Sequence, residues 1–274
     1  MQEIWRWLPG QMADGATHMA TDQAIAEQAS RLNCPTVRIY HWFPCCVSLG
    51  YHQNTDILDL HQCEQEGIDV VRRPTGGRAV FHSEEWTYAV ILPSDWPGAG
   101  STELVYKMIS EGLVSGLNKL GVPARMERRP LDLHRHYRSE LASSCFSAAA
   151  KYEVIADEKK LVGSAQRRMM NGILQHGSIL TGEAHAKLPL FFEGLNSSKK
   201  ERMSKIIQGK ATCIQDLIGR IPSFEEGAEA IRSGMEEALG IRLKKGELSK
   251  EEKLLMPELK AEFSILASGK RMKG

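Results

Sequence analysis

The chain has 274 residues, with 35 lysines and arginines against 34 aspartates and glutamates, a length that supports one large or two small domains burying about three quarters of the unfolded surface. So even a balance excludes a global field drawing the protein to nucleic acid or anionic lipid, and recognition has to be local. No stretch approaches the roughly 18 apolar residues of a membrane span, and the amino terminus MQEIWRWLPGQMADG has no basic segment before a long apolar run, so a cytoplasmic protein with no membrane association is expected.

The first helix is expected from Ala16 to about Leu32, with Ala16, Met19, Ala20 and Ala24 on one stripe. Thr36 to Tyr40 and Val47 to Tyr51 are β-branched or apolar runs bounded by Pro35, Pro44 and Gly50, and read as strands. Cys34, Cys45, Cys46 and Cys63, with His52 and His61 nearby, lack the paired spacing of a zinc site, so free thiols and no metal are expected.

A strand from Ile68 to Arg73 ends at Pro74 and leads into RRPTGGRAVFH, residues 72 to 82. Gly76 and Gly77 can take positive φ and let a ligand approach bare amides. Arg72 and Arg73 carry planar forks suited to phosphate or carboxylate oxygens. A surface hairpin with two solvated arginines shows the same pattern when it stands alone.

Trp86 to Leu92 reads as a strand alternating Trp86, Tyr88, Val90 and Leu92 with smaller residues. Ser101 caps a second helix running to Leu120, with Glu103 in its first turn and Gly121 and Pro123 stopping it. Arg128 to Ser144 has no sustained period and reads as a long loop of the kind that forms lids or binding segments.

Tyr152 to Ala156 and Lys160 to Gln166 form a hairpin across Asp157 and Glu158, followed by a strand from Gly172 to Thr181. Simple alternation puts Lys160, Val162, Ser164 and Gln166 on one face, and Leu161, Gly163 and Ala165 on the other. Taken alone, Lys160, Lys159, Arg167 and Arg168 are solvated charges and Cys145 a small hydrophobe. From Leu243 the chain is lysine-rich, as peripheral helices with a frayed end would be.

The run RRPTGGRAVFH together with KKLVGSAQRRMMNGILQHGSIL, residues 159 to 180, resembles the signatures of the lipoate-protein ligase and octanoyltransferase family. The matching positions are Arg72, Arg73, Gly76, Gly77 and His82, then Lys160, Gly163, Ser164, Ala165, His176 and Gly177. Cys145, in the segment Ser143 to Phe146, is similar to the nucleophile of the cysteine-dependent octanoyltransferase branch. Two positions depart from the ligase pattern: Arg78 stands where a third glycine is usual, and Ser83 where an aspartate follows the histidine, unless Glu84 or Glu85 substitutes.

The resemblance implies a mixed α+β, biotin/lipoate-protein ligase-like catalytic domain over residues 1 to 245, with sheets flanked by helices, and a helical extension over 246 to 274. It implies that Cys145 is acylated, that Lys160 contacts the acyl carbonyl and activates the thiol, and that the remaining motif residues, with Arg78, bind substrate. Val80 and Val162 are candidates for the acyl tunnel.

The implied donor is octanoyl-acyl carrier protein, whose arm carries phosphopantetheine, and the acceptor is the glycine cleavage H protein or another lipoyl domain. No cofactor and no ATP are expected, and a monomer is. The competing readings are an ATP-dependent lipoate-protein ligase, an octanoyl amidotransferase between lipoyl domains, and a non-catalytic lipoyl-domain binder.

Overall fold

A computed structural model describes residues 2–127 and 152–267. Strand β1 (Ile4–Ala13) leads into helix α1 (Gly15–Leu32), which starts where the Asp14 side chain accepts the Thr17 N–H and ends at Asn33 in the left-handed region. Strands β2 (Thr36–Trp42) and β3 (Cys46–Leu49), a short helix α2 (Leu60–Gln65), and strands β4 (Asp69–Arg72), β5 (Val80–His82) and β6 (Glu85–Pro93) follow. Helix α3 (Thr102–Lys119) begins at Ser101, whose hydroxyl accepts the Leu104 N–H, as its sequence predicts. Strand β7 (Arg125–Glu127) closes the first described stretch. The expected loop from Arg128 to Ser144 lies outside the described residues.

The second stretch opens with β8 (Glu153–Ala156), β9 (Lys159–Arg168) and β10 (Gly172–Leu180). A 3-10 segment (Glu183–Phe191) precedes α4 (Ser197–Lys210), α5 (Ile214–Ile218), α6 (Phe224–Leu239), β11 (Arg242–Lys245), α7 (Lys250–Phe263) and β12 (Ser264–Leu266). Among the described residues the strands form an eight-stranded sheet, β11-β1-β2-β6-β10-β9-β8-β7, and a four-stranded sheet, β12-β4-β3-β5. Both mix parallel and antiparallel pairs, in keeping with the mixed sheets expected.

Alternation along the central strands builds two layers on the large sheet. Trp86, Tyr88, Val90 and Leu92 of β6 and Val37 and Ile39 of β2 face one core with α3 and α6. Ala89, Ile91, Tyr40 and Trp42 point the other way, against α1. The small sheet packs its own core with the 3-10 segment and α4. The site lies where the α1 side of the large sheet meets the small sheet.

The lysine-rich stretch from Leu243 is more integrated than its composition suggests. Through Leu266 it supplies one strand to each sheet and a helix against α1. Glu252 of α7 is fully buried and pairs with both Nη atoms of Arg6, while Lys260 reaches Asp14 at 2.7 Å.

Candidate active site

Between the sheets lies a narrow, largely apolar cavity with about 30 Å³ of free space. The large sheet lines it with Tyr40, Trp42, Thr87, Gly163, Ala165, His176 and Ser178, the small-sheet side with Ser48, Arg73, Val80 and His82, and α1 with Met19. Cross-strand register explains why the space exists. Ala165 pairs with His176 and Gly163 with Ser178, so the Gly-Ser-Ala segment presents its two smallest side chains to the cavity.

Ser164 turns to the helix side, where its hydroxyl accepts the Tyr88 O–H at 2.7 Å. Gln175 Nε2 donates to the same Tyr88 oxygen and Gln166 Nε2 to Gln175 Oε1. Gly177 is required by close approach, since a Cβ there would stand 2.3 Å from the Gly163 carbonyl oxygen. Val80 lines the cavity, whereas Val162 sits in the core on the far side.

Buried charge fixes the cavity wall. Asp22 of α1 pairs with the Arg38 guanidinium, accepts the Tyr40 O–H at 3.0 Å and lies 3.0 Å from His176 Nδ1. Burial would raise the Asp22 carboxyl, but Arg38 and His176 hold it below its ordinary value. His176 Nε2 stands 2.7 Å from the Thr75 hydroxyl. The two contacts engage both ring nitrogens of His176.

His82 follows the same logic. Its Nδ1 lies 3.0 Å from Glu85 Oε1 and its Nε2 2.8 Å from Ser48 Oγ, while Trp42 stacks on the ring at 3.9 Å. Trp42 donates to Thr87, which donates to the same Glu85 oxygen. Burial pushes the His82 pKa down against the pull of Glu85. Each histidine therefore has both ring nitrogens engaged, and their immediate role is to order the wall.

His18, stacked on Tyr40 at 4.1 Å, gives a measurable consequence. Burial and the Arg38 charge push its pKa down to about 3 from the ordinary 6.5. Between those values the unfolded chain binds the extra proton, so stability rises with pH in that window and is lost as pH falls. Urea midpoints are expected to show a loss of up to about 1.4 kcal/mol per pH unit below 6.5. The His18→Gln variant should show a shallower slope; an unchanged slope would contradict burial of a neutral imidazole.

The Arg-Arg pair serves its own loops. Arg72 donates to the carbonyls of Gly50, Tyr51 and Gln53, and Arg73 to those of Ser48, Gly76 and Arg78. The forks that sequence suggests for ligand oxygens are thus directed at backbone acceptors. Of the two glycines only Gly77 has positive φ, at 94°. The tight contact is elsewhere, at Gly50, where a Cβ would stand 2.0 Å from the Gly77 carbonyl oxygen.

Arg78 is half-buried and gives its carbonyl to Arg73. Ser83 accepts a hydrogen bond from the Cys45 thiol at 3.4 Å. The nearby carboxylates divide their work, Glu85 holding His82 and Glu84 accepting the Ala184 N–H. Arg167 and Arg168 are not simply solvated: Arg167 donates to the Pro74 carbonyl and covers the Tyr51 ring, and Arg168 donates to the Ala99 carbonyl.

Lys160 requires a correction of face. Val162 pairs with Val154 but Lys160 pairs with Ile155, so Leu161 is an extra residue in β9. Val154 and Ile155 are consecutive and point to opposite faces, and so do Val162 and Lys160. The bulge turns Lys160 to the face of Gly163 and Ala165, away from Ser164 and Gln166. Its head is buried, with Nζ 2.7 Å from Glu153 Oε1, and its carbonyl accepts the Thr212 N–H.

Cys145 lies outside the described residues. The other five cysteines are free; burial raises the Cys46 thiol well above its ordinary value and pushes Cys63 and Cys213 up to about 11.

Asp22, Tyr40, Trp42, Ser48, Thr75 and Glu153 do not stand out in the sequence as site residues. The available signal for Asp22 is a carboxylate one turn after His18 on the mostly small and apolar buried face of α1.

Residues 14–236 match the family model of the lipoyl protein ligase A/B catalytic domain. The octanoyltransferase LipM of Kyrpidia tusciae is 38% identical over 264 residues, covering 95% of this chain and 96% of its own. That of Clostridioides difficile is 39% identical over 258 residues, covering 93% and 94%. Among solved structures, a bipartite lipoate protein ligase from Thermoplasma acidophilum superposes with a TM-score of 0.76 at 22% identity, covering 95% of this chain and 93% of its own, a likeness of fold.

Proposed function

The chain belongs to the lipoyl protein ligase A/B catalytic-domain family and, within it, to the LipM octanoyltransferases, and from that premise we propose that it carries octanoyl groups to a lipoyl domain through a thioester on Cys145. The donor is the octanoyl thioester of acyl carrier protein and the acceptor a lysine of the glycine cleavage H protein or a similar lipoyl domain. The Cys145 thiolate adds to the thioester carbonyl and the phosphopantetheine sulfur leaves as thiolate. The acceptor amine then adds to the octanoyl-enzyme, loses its proton and expels Cys145, giving an amide. The first exchange is nearly balanced, and the greater stability of the amide draws the sequence forward without a nucleotide.

The observation that supports this reading best is the cavity. Met19, Trp42 and Val80 give it apolar wall, Gly163 and Ala165 leave room, and Lys160 stands on the same face of β9. An ammonium held there suits the oxygen that gains charge when a carbonyl is attacked, an interaction worth about 3 kcal/mol per well-placed donor. Free cysteines at the described positions fit a reducing, cytosolic setting.

The donor decides between this reading and a ligase. Octanoate is unactivated, so joining it to a lysine needs coupling to ATP, whereas the thioester already carries the driving force. The protein is expected to modify its acceptor from octanoyl carrier protein with no nucleotide, and to leave it unmodified with octanoate or lipoate plus ATP and magnesium. Labelling from free lipoate and ATP, with none from the thioester, would replace the transferase by the ligase.

A further inference from the structure

We propose that Glu153 is a positioning residue for acyl transfer, fixing the ammonium of Lys160 where the reaction needs it. The inference rests on the role given to Lys160 under the proposed function, and extends it to a residue outside the motifs. Glu153 opens β8, seven positions before Lys160 and across the Asp157-Glu158 turn. Both side chains are buried, and Oε1 lies 2.7 Å from Nζ, the length of a charge-assisted hydrogen bond.

The geometry of β9 makes such an anchor necessary. The bulge at Leu161 swings Lys160 onto the face of β9 that carries Gly163 and Ala165, and the Thr212 N–H holds its backbone carbonyl. The four-carbon stem beyond that point has several rotatable bonds, and an ammonium has no directional fork of its own. A cation acts on a developing oxyanion only if it is in place before the charge appears. The Glu153 carboxylate selects one position of the head group.

Fold stability does not account for the pair. A buried ion pair contributes little net stability relative to apolar residues of the same size.

The test is a double-variant cycle on the full chain, reading single-turnover formation of the octanoyl-enzyme from octanoyl carrier protein. Glu153→Gln is expected to slow acylation by roughly 10- to 100-fold while the donor concentration for half-maximal rate changes less than about threefold, because orientation and not binding is lost. Glu153→Asp, which keeps the charge at shorter reach, should give an intermediate rate. In a Lys160→Ala background Glu153→Gln should change the rate less than about twofold, since two residues acting as a unit do not add.

Wild-type acylation in Glu153→Gln, or losses that multiply with those of Lys160→Ala, would overturn the assignment. If Glu153→Gln does not fold, a wild-type rate in Glu153→Asp would overturn it equally. A fully active Lys160→Ala would instead remove the role of Lys160 itself, a different failure.

Discussion

Cys145→Ala is expected to yield no octanoyl-enzyme and to lose at least about 10³-fold in product formation, because the covalent route has no second nucleophile to fall back on. The described cysteines are poor substitutes. Burial keeps Cys46 protonated and places Cys63 and Cys213 near 11, where hardly any thiolate exists at neutral pH. Cys45 is half-buried and engaged with Ser83, and Cys34 follows the C-cap residue of α1. Alanine replacements at these five positions should leave the acyl-enzyme intact. A Cys145→Ala variant turning over near the wild-type rate would exclude the thioester intermediate and favour direct attack on an adenylate.

The second large effect belongs to Lys160. An ordinary thiol near pKa 8.5 is only a few per cent ionised at neutral pH, so a neighbouring cation matters both for forming the thiolate and for the later oxyanion. Lys160→Ala should lower the acylation rate by at least about two orders of magnitude.

The structure adds a stability cost that the sequence does not suggest. Lys160 is buried with Glu153, and removing one partner of such a pair costs about 3–5 kcal/mol. Rates are therefore to be compared well below each variant's Tm. Lys160→Arg should rescue incompletely, since a planar guanidinium does not fit the place of a compact ammonium and cannot donate and recover a proton near neutral pH. A fully active Lys160→Ala would reduce Lys160 to a structural ion pair.

Much of the local architecture was legible from sequence. The α3 cap at Ser101, the alternation of Trp86 to Leu92 and the hairpin across Asp157 and Glu158 all follow from nearest-neighbour physics. Within that hairpin, the extra residue in β9 was not legible. Alternation assigns Lys160 to the face of Ser164, and only pairing with Ile155 of β8 shows the break in phase.

The arginines show a second limit. Residue type told what Arg72 and Arg73 can bind, but backbone carbonyls some 20 residues away in sequence compete for the same forks. Asp22 shows a third: its partner His176 lies 154 residues along the chain, and nothing within one helix announces a contact of that range. The motif residues were visible because they cluster in two runs, whereas the wall that orders them is assembled by the fold.

In the proposed route an octanoyl group rests on Cys145 between donor and acceptor. Intact-protein and peptide mass spectrometry after mixing the wild-type chain with octanoyl carrier protein, in the absence of nucleotide and acceptor, tests it directly. One octanoyl addition is expected, located on the peptide containing Cys145, labile to hydroxylamine and discharged by a lipoyl domain. An unmodified Cys145 under those conditions, with acceptor octanoylation appearing only when octanoate and ATP are supplied, would contradict it.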